Sequence, residues 1–353
     1  MVTLAALAFV AHIGVLAGHA TISTSRGRSF VALRNAPLLA GDTVTTLGST
    51  QAEAELDSLV SIRLDANAAV RIDDLTPHRR RIALLFGTID LSSERNGDSP
   101  RVETPSVTLA PDSPALVRIS VSAGITSAFV RRGTLRIITP NGVEVLSPGE
   151  LVTLTGDPST PTLRYAAVPA TDAFDGFNQT RDGAKRGIAG LEPYGSWITL
   201  AHYGRAWQPR EFPGWAPYHS GRWFWRSAIG WIWIARESWG WLPYHYGAWI
   251  DDPARGWCWV PSAPQSARWM SANAVFFAIV VRGRTQSVGW VPLAPGEPFH
   301  SGLDEYVNAR ARGGLDEISR GAFYSGDFSR IAFPSLASLT PSVRLAAPPS
   351  PKR

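Results

Sequence analysis

The chain has 353 residues, enough for two or three modest domains, and 44% of them are hydrophobic, which allows a sizeable core. Its single cysteine, Cys258, excludes an intrachain disulfide framework and paired-cysteine metal sites, and its tryptophan neighbours predict a buried small hydrophobe. The net charge of +5, carried mostly by arginine, suits an anionic partner, although an arginine-rich soluble surface is the simpler explanation.

The N-terminal segment is apolar and resembles a secretory leader. No charged residue occurs before Arg26, and the apolar run ends in Gly18-His19-Ala20, a small-residue cleavage pattern. We therefore expect residues 1–20 to be a signal peptide or anchor that is cleaved near its end, although the basic start of such leaders is missing. Because His12 and His19 make the run too short for a bilayer span, we expect contact with a membrane only through an uncleaved leader.

Residues 41–156 are predicted to form short strands. Apolar and polar residues alternate in segments such as Val60–Leu64 and Val117–Val121, which is the period of a half-buried strand. Pro140-Asn141-Gly142 between two such runs predicts a tight hairpin, because Asn-Gly tolerates the positive φ angles of a type I′ turn. The 32 glycines and 27 prolines of the chain also favour strands and turns over long helices. An all-β sandwich or roll is the expected result.

A linker and one helix are predicted over residues 157–190. The first part is rich in proline, whereas Asp172–Arg186 is the best helix candidate because its alanines and phenylalanines form a weak apolar stripe. Residues 301–353 are predicted to be a C-terminal tail that is partly disordered, since the chain ends in a proline-rich and basic segment.

All fourteen tryptophans lie between Trp197 and Trp290, and most of them follow a 26-residue period. Two tryptophan series and two glycine series keep this interval: Trp197, Trp223 and Trp249; Trp207, Trp233 and Trp259; Gly195, Gly221 and Gly247; Gly204, Gly230 and Gly256. A period of this length indicates one supersecondary unit copied in tandem. We therefore predict a Trp-rich repeat domain over residues 191–300.

One copy of the repeat is predicted to be a β-hairpin. Trp223 and Trp225 are two residues apart, as are Trp231 and Trp233, so each pair shares one face of an extended chain. Contact between tryptophans on the two strands would stabilise the hairpin. Pro243 is expected at the corner before the next copy, because proline cannot donate in a central ladder. Stacking of successive copies is expected to give a β-meander.

Burial decides which tryptophans remain available for a ligand. Each buried indole removes about 150–250 Å² from water, or roughly 4–6 kcal/mol as an upper estimate, and a soluble chain cannot leave fourteen of them exposed. The periodic ones are therefore predicted to be core: Trp197, Trp207, Trp223, Trp233, Trp249 and Trp259. Non-periodic tryptophans and interleaved arginines are the candidate binding residues: Trp225, Trp239, Trp269, Arg222, Arg226 and Arg236.

Two parts of the chain resemble known families. Residues 41–156 resemble the FecR domain of bacterial envelope proteins, and residues 172–300 resemble the Trp-rich domain of unknown function that follows FecR domains in many exported proteins. The first resemblance rests on the motifs Gly41–Thr46, Ile62–Leu64, Leu84–Ile89, Val102–Pro105 and Leu146–Glu150. The second rests on Trp215–His219, Gly221–Trp223, Trp241–Gly247, Gly256–Pro261 and Gly289–Glu297.

These resemblances imply a bacterial, extracytoplasmic protein with a β-rich first domain and no catalytic residues carried over. The best-known FecR proteins relay signals between an outer-membrane transporter and a sigma factor, and they carry a cytoplasmic helical domain and a membrane span before the FecR region. About 40 residues precede Gly41 in this sequence, so we do not expect direct sigma-factor control.

Histidines at equal repeat positions are the nearest approach to a metal site. His219 and His245 are one period apart, and His202 or the Asp251-Asp252 pair offers further ligand types. Residues at equal positions usually have equal structural roles, so hydrogen bonds to turns are the expected explanation. We predict no metal and no cofactor.

Carboxylates among aromatic residues raise the alternative of a hydrolase. Glu237 and the Asp251-Asp252 pair have the surroundings typical of glycoside hydrolases. Adjacent residues of a strand point to opposite faces, however, so the aspartate pair fits a turn before Pro253 better. Arginines between aromatics also occur in single-strand nucleic-acid sites, but export argues against such a partner, and arginine stacking on tryptophan explains them.

The sequence therefore predicts a mainly β, non-enzymatic protein of the bacterial cell envelope, located in the periplasm or elsewhere outside the cytoplasm. The FecR-like domain would act in interaction or scaffolding, and the repeat domain would bind a glycan, peptidoglycan or another envelope protein. One alternative is a cell-wall or polysaccharide hydrolase, and another is an extracytoplasmic sensor that acts through a membrane partner.

Overall fold

The protein is mainly β, with 51% of its residues in strands and 11% in helices, which confirms the predicted fold class. The computed structural model describes residues 10–76, 78–94, 100–139, 141–157, 159–168, 170–181, 183–262, 268–339, 343–346, 348, 350 and 351. The chain divides into two compact units, the first ending at Arg186 and the second beginning at Gly187.

The first unit is built on one 13-stranded sheet. Its strands are β1 (Ala11–Ser23), β2 (Ser29–Val31), β3 (Pro37–Leu38), β4 (Thr43–Glu55), β5 (Val60–Leu64), β6 (Ala69–Leu75), β7 (Arg80–Ser93), β8 (Arg101–Glu103), β9 (Thr108–Ser122), β10 (Ile125–Thr139), β11 (Gly142–Leu146), β12 (Leu151–Thr155) and β13 (Thr162–Ala166). Neighbours follow the order β13-β12-β10-β9-β8-β7-β5-β4-β1-β2. Strands β4 and β7 each pair with both β5 and β6. The four strands β4, β5, β7 and β6 are therefore hydrogen-bonded in a closed circuit, which curves this part of the sheet.

The hairpin predicted near Asn141 is present. Strand β10 pairs with β11 in antiparallel register, with Thr139 opposite Gly142, and the backbone N–H of Asn141 donates to Thr139 Oγ1 at 3.2 Å. Gly142 begins the second strand instead of occupying the turn. Pro140, the first residue of the predicted turn motif, lies outside the described residues.

Strand β5 is buried on both faces, although its alternating sequence predicts a half-buried strand. Ser61 and Arg63, on its polar face, are 0% and 1% exposed. Arg186 Nη2 donates to Ser61 Oγ at 2.7 Å and to Glu53 Oε1 at 2.5 Å, and Arg63 Nη1 donates to the carbonyl oxygen of Asn178 at 3.3 Å. The segment around the helix therefore covers the polar face of this sheet with hydrogen-bonded charges.

The helix that the structure describes in this unit, α1 (Ala173–Gln179), is shorter than predicted. Its start is fixed by a capping box, in which the side chain of Asp172 accepts from the backbone N–H of Asp175 and the Asp175 side chain accepts from the N–H of Asp172, both at 2.9 Å. Beyond its end, Gly183 has a φ of +75°, a left-handed conformation that does not continue a helix.

Two segments that we predict outside the β domain contribute strands to it. Residues 162–166 of the predicted linker form β13, which pairs with β12 over five residues. Residues 11–20 of the predicted leader belong to β1, which pairs with β4 and has Ala11 and Ile13 fully buried. Cleavage near residue 20 would remove most of this strand, and such cleavage stays a prediction. Residues 1–9 lie outside the described residues.

The second unit consists of three hairpins and a four-stranded sheet. Its strands are β14 (Gly195–Leu200), β15 (Gly204–Pro209), β16 (Gly221–Arg226), β17 (Gly230–Ala235), β18 (Ala248–Asp252), β19 (Gly256–Val260), β20 (Ala274–Val281), β21 (Arg284–Pro292), β22 (Asp316–Ser319) and β23 (Val343–Leu345). Its helices are α2 (Trp241–His245) and α3 (Arg320–Ser325), with 3₁₀ segments at Gly187–Tyr194, Leu303–Glu305, Val307–Arg310 and Leu336–Ser338.

Each copy of the 26-residue period forms one antiparallel hairpin. We call them hairpin 1 (β14 and β15), hairpin 2 (β16 and β17) and hairpin 3 (β18 and β19). Two tryptophans face each other across each hairpin: Trp197 and Trp207, Trp223 and Trp233, Trp249 and Trp259. The predicted hairpin and the predicted contact between tryptophans of its two strands are therefore confirmed.

The predicted meander is wrong. Hairpin 1 pairs with hairpin 3 through Trp207 and Trp259, giving the order β14-β15-β19-β18, whereas hairpin 2 forms a separate two-stranded sheet. The connecting segments 210–220 and 236–247 are long enough to carry the chain past its nearest neighbour in sequence. The backbone N–H of Trp233 donates to the carbonyl oxygen of Ser271 at 3.1 Å. A segment that follows the three hairpins in the sequence therefore hydrogen-bonds to strand β17 of hairpin 2.

The C-terminal tail contributes to the fold of the second unit. Strands β22 and β23 flank β21 and β20 in the order β22-β21-β20-β23, and Phe323 and Phe328 are buried in the tryptophan cluster. The predicted disorder at the end of the tail stays a prediction, since residues 347, 349, 352 and 353 lie outside the described residues.

Candidate functional site

Glycine and tryptophan interlock in every hairpin, and this explains the first glycine series of the repeat. A Cβ atom on Gly195 would lie 2.6 Å from Trp207 Cε2, one on Gly221 would lie 2.5 Å from Trp233 Cζ2, and one on Gly247 would lie 2.8 Å from Trp259 Nε1. The indole of the second strand thus lies directly against the glycine that starts the first strand. The second series, Gly204, Gly230 and Gly256, has φ values of +71°, +82° and +73° in the hairpin turns.

The interlocked tryptophans act as apolar volume. Trp207 and Trp233 are 0% exposed and Trp259 is 1% exposed. No hydrogen-bond partner for the indole N–H groups of Trp207 and Trp233 is present among the described residues, whereas Trp259 Nε1 donates to the carbonyl oxygen of Tyr246 at 2.6 Å. Edge-to-face contacts with neighbouring rings surround them, such as the 5.4 Å separation of the Trp223 and Trp233 ring centroids. Indoles used in this way cannot bind a ligand.

Two tyrosines at equal repeat positions tie the copies together. Tyr218 and Tyr244 are fully buried, with ring centroids 4.8 Å apart, and the Tyr218 hydroxyl donates to the Tyr244 carbonyl oxygen at 3.3 Å. The N–H of Asn273 donates to the Tyr218 hydroxyl at 3.0 Å. These hydrogen bonds join the segment before hairpin 2, which contains Tyr218, to the segment before hairpin 3, which contains Tyr244.

Two of the six predicted binding residues lie in the interior. Trp239, 7% exposed, contacts the Trp207 ring edge-to-face at 4.9 Å and stacks on Tyr244 at 6.0 Å, so the prediction that it is an exposed aromatic is corrected. Arg226 is 6% exposed, which corrects its assignment to an accessible strip. Departure from the 26-residue period therefore does not imply exposure.

Three of the remaining predicted residues belong to hairpin 2 or the segment just after it. Trp225 is half-buried and packs edge-to-face on Trp231, with ring centroids 5.4 Å apart. Arg222 is half-buried over the ring of Phe224 at 5.8 Å, and Arg236 is exposed. Burial and the neighbouring Arg236 charge lower the pKa of Arg222, which places the two guanidinium groups near each other.

Arginine stacking on tryptophan, the explanation that we expect for the interleaved arginines, occurs in hairpin 1. The guanidinium carbon of Arg205 lies 4.2 Å from the centroid of Trp197. Trp197 is only half-buried, unlike the other five periodic tryptophans, and it packs on the edge of the cluster, 6.2 Å from Trp259.

The sixth predicted residue, Trp269, belongs to a group of three neighbouring aromatic rings. We call Trp241, His245 and Trp269 the aromatic platform. Trp269 stacks on the His245 ring at 5.7 Å with an interplanar angle of 23°, and the Trp241 and Trp269 centroids are 6.5 Å apart. Both tryptophans are half-buried, as are Trp197 and Trp225, whereas His245 is buried.

His245 holds the aromatic platform in place. Its Nδ1 lies 2.8 Å from the carbonyl oxygen of Met270, and its ring lies 4.4 Å from that of Trp241. Burial lowers the pKa of His245 to about 4, so the ring is neutral at pH 7. Trp241 is not among the binding residues predicted from the sequence. It lies 26 residues after Trp215, and a tryptophan that keeps the repeat period is expected to be buried, as Trp215 is.

A buried carboxyl group lies on the other side of the tryptophan cluster. Glu237 Oε1 accepts from Trp215 Nε1 at 3.1 Å and from the Tyr244 hydroxyl at 3.2 Å. Burial raises the pKa of Glu237 to about 7, and the charge of Glu211 acts in the same direction. Glu211 is exposed and accepts from Trp239 Nε1 at 3.3 Å. Two carboxyl groups with different environments thus lie within one aromatic setting.

The repeated histidines are occupied by backbone contacts. His219 Nε2 lies 2.8 Å from the carbonyl oxygen of Gly313 and 3.2 Å from Asp316 Oδ1, and its ring stacks on Phe333 at 4.1 Å. Burial lowers the pKa of His219 to about 4 and raises that of Asp316 well above its usual range, so burial disfavours the charged form of both groups.

The adjacent aspartates belong to the turn of hairpin 3. Asp252 Oδ1 accepts from the backbone N–H groups of Ala254 and Arg255, both at 3.0 Å, as expected for a turn residue before Pro253. Asp251 lies opposite Trp257 in the ladder. Cys258 is fully buried, and burial raises the pKa of its thiol to about 12, which fits the predicted small hydrophobe.

No set of three or more histidine, cysteine, aspartate or glutamate side chains is arranged to hold a metal ion within the part of the chain that the structure describes. Among the helices seen in that part, none combines the length and apolarity needed to cross a bilayer.

In comparisons with known proteins, part of the second unit matches one family model. Residues 188–297 match the model described as "Family of unknown function (DUF6600)". No curated protein matches the chain. Two solved structures, both described as "a putative anti-sigma factor" from Parabacteroides distasonis, are 14% identical over 35% of this chain and have a TM-score of 0.30. The chain spans 60% of the length of those proteins. The resemblance of residues 41–156 to FecR stays a prediction.

Proposed function

We propose that this is a non-enzymatic protein of the bacterial cell envelope whose second unit binds a glycan or peptidoglycan through the aromatic platform. The observation that carries the proposal is the pair of half-buried indoles, Trp241 and Trp269, which lie close to each other and to the ring of His245. A flat aromatic face stacks on the C–H surface of a sugar ring, and such stacking needs an accessible ring in a fixed orientation.

Preorganisation supports this assignment. His245 is held between the two indoles and by the Met270 carbonyl oxygen, so neither ring needs to be ordered when a ligand arrives. The interlocked glycines and tryptophans below make the hairpins rigid. Trp225 and Arg222, half-buried on hairpin 2, are the second choice for a contact with the polymer or with another envelope protein.

Retention on insoluble peptidoglycan and on immobilised glycans tests the proposal. We expect Trp269→Ala and Trp241→Ala each to weaken retention by about 3- to 10-fold, because one aromatic stack contributes roughly 0.5–1.5 kcal/mol. Trp225→Ala tests the second choice in the same assay.

Phe299→Ala is the matched control, since Phe299 is 75% exposed and does not belong to the aromatic platform. It should leave retention unchanged, and thermal unfolding should show that all variants are folded. Equal retention of the wild type and both platform variants would contradict the role of the platform, and no retention of the wild type would contradict carbohydrate binding itself.

The carboxyl pair supports a second candidate function, a cell-wall or polysaccharide hydrolase. Glu237, whose pKa burial raises to about 7, could act as a general acid near the exposed carboxyl group of Glu211, and glycosidases use such a pair of carboxyl groups. The indole and hydroxyl donors on Glu237 give it an equally complete structural role, which is why we place this function second.

Release of soluble sugars from peptidoglycan separates the two functions. A hydrolase should lose activity by at least about 100-fold in Glu237→Gln, because general acid catalysis contributes roughly 10²–10⁴-fold. A wild-type protein that retains the polymer but releases nothing would favour the binding function.

The envelope location and a sensor role belong to the same proposal. Location outside the cytoplasm rests on the apolar N-terminal segment and on the FecR resemblance, and signalling through a membrane partner rests on the latter alone. Fractionation of cells that produce the tagged protein tests the location, and crosslinking to inner-membrane proteins tests the sensor role.

A further inference from the structure

A cleft in the first unit is lined by an unusual number of arginines. It has a volume of about 510 Å³, in the range of small-molecule sites, and lies beside the segment that follows α1. The polar side chains that line it are Arg63, Arg132, Arg181, Arg186, Ser92 and Glu94. Neither the aromatic platform nor the carboxyl pair includes any of them.

Three of the four arginines that line the cleft have acidic partners. Glu53 is shared by Arg186, which donates to it at 2.5 Å, and by Arg63, whose Nε lies 3.7 Å away. Arg63 also interacts electrostatically with Asp90, and Arg186 with Glu55. Arg132 pairs with Glu94 at the exposed rim.

Arg181 is the cation of the cleft that no carboxylate contacts among the described residues. Its guanidinium lies over the Phe177 ring at 5.8 Å, which fixes its direction, and its Nε is buried with no hydrogen-bond partner in the described part of the chain. A buried donor without a partner costs about 1–3 kcal/mol, so an acceptor from outside the protein would stabilise this arrangement.

Hydrogen-bond donors are distributed from the floor of the cleft to its rim. Arg63 and Ser92 are buried at the floor, Arg181 is half-buried, and Arg132 is exposed at the rim. Guanidinium groups present rigid pairs of donors that fit the oxygens of phosphate and carboxylate, and the Ser92 hydroxyl is a further donor. A ligand that enters would meet donors on several sides.

We propose that this cleft binds an oxyanion, specifically the phosphate group of a small molecule or of a lipid headgroup. Guanidinium groups line the cleft, and Arg181 supplies a buried donor for which the described residues offer no hydrogen-bond partner. The site is independent of the polymer binding assigned to the second unit.

Binding of inorganic phosphate and pyrophosphate to the full chain, measured by calorimetry at low ionic strength, tests the proposal. The wild type should bind pyrophosphate and unfold at a higher temperature in its presence. Arg181→Gln should weaken binding by at least about tenfold, because charge-assisted hydrogen bonds contribute roughly 1.5–3 kcal/mol, and Arg181→Lys should restore part of the affinity.

Arg164→Gln is the matched control, since it removes one positive charge from an exposed position of β13 outside the cleft. It should bind pyrophosphate as the wild type does. Unfolding temperatures without ligand show whether Arg181→Gln is folded. Equal binding by the wild type and Arg181→Gln would overturn the proposal.

Vesicles distinguish the two sources of the phosphate group. Sedimentation with vesicles that contain phosphatidic acid, compared with phosphatidylcholine alone, tests a lipid headgroup, whereas calorimetry tests a free phosphate. Dependence on Arg181 in either assay supports the cleft as the site and names the source. Absence of binding in both assays would overturn the proposal.

Discussion

The two units of this chain differ in the length of their strands and in the side chains that fill their cores. The first uses strands of up to 15 residues, an aliphatic core of alanine, valine, isoleucine and leucine, and charges buried in a hydrogen-bonded network. The second uses hairpins whose strands have five or six residues and fills the space with indoles. Long strands bury enough area with small side chains, whereas a short hairpin needs one large ring on each strand.

The charged network is the counterpart of the tryptophan cluster. Arg118 Nε lies 2.8 Å from Asp90 Oδ1, its Nη2 lies 2.8 Å from Asp175 Oδ1, and Asn178 Nδ2 donates to Asp90 Oδ2 at 2.6 Å. These contacts attach α1 to the sheet. The first unit therefore depends on directional contacts at a few atoms, and the second on the volume of its rings.

Truncation of a central indole should have the largest effect in the second unit. We expect Trp233→Ala to lower its free energy of unfolding by about 3–5 kcal/mol, since Trp233 is 0% exposed and leaves a large cavity. Denaturant unfolding followed by tryptophan fluorescence measures this, because all fourteen tryptophans lie in this unit. Trp269→Ala, at the half-exposed platform, should cost clearly less, and equal losses would contradict the division between core and surface indoles.

Removal of one charge from the network should have a comparable effect in the first unit only. Arg118→Met leaves Asp90 buried without its guanidinium partner, so we expect a loss of about 3–5 kcal/mol. Circular dichroism should show an early transition while tryptophan fluorescence is unchanged. Arg136→Met, which breaks an exposed pair with Asp112, should cost less than about 1 kcal/mol. A loss of that small size for Arg118→Met would show that the network does not support the unit.

The stability of the second unit should fall as pH rises between about 4.5 and 7, because the folded state keeps a proton on Glu237 that the unfolded chain releases. Glu237→Gln removes this term and should stabilise the unit at pH 8 by up to about 3 kcal/mol. Fluorescence-detected unfolding at pH 5 and pH 8 measures the change. The control is Asp304→Asn, which removes an exposed carboxylate of the second unit that is not among the groups acting on Glu237 and should leave the slope unchanged, and an unchanged slope in Glu237→Gln would contradict the raised pKa.

The histidines act in the opposite direction at lower pH. Burial lowers the pKa of His219 and His245 to about 4, so stability falls as pH decreases from 6.5 through that value.

The glycine and tryptophan contact should have the smallest effect of the four. Gly221→Ala places a Cβ atom 2.5 Å from the Trp233 ring, and we expect a loss of about 1–3 kcal/mol from overpacking. Gly321→Ala in α3, where a Cβ atom meets nothing within 4 Å, should be neutral or slightly stabilising and serves as the control. Thermal unfolding of both variants measures the difference, and equal stability would contradict the interlock.

The local structure of the repeat could be predicted, but its assembly could not. Glycines at turns and tryptophans two residues apart determine each hairpin, including the pairing of Trp223 with Trp233. The partner of each hairpin depends on segments without a period and on residues from β20 onward, so the pairing of Trp207 with Trp259 has no sequence signal.

The solvent exposure of individual tryptophans could not be predicted from their place in the repeat. Trp239 leaves the period and is nonetheless buried, while Trp241 keeps the period of Trp215 and is half-exposed. A repeat records the local hairpin, whereas exposure depends on which other element covers that position. For the same reason the arginine cleft could not be predicted, because Arg63 and Arg181 come together only when the chain folds back across the sheet.

The glycine beneath each indole has a consequence for how such an array evolves. The two residues that must match, Gly221 and Trp233 for example, belong to the same 26-residue copy, twelve positions apart. Duplication of one copy therefore transfers both the glycine and the tryptophan that packs against it, and no compensating change is needed elsewhere. Lengthening or shortening of the gene by whole copies preserves every hairpin, and natural variation should be concentrated in the connecting segments.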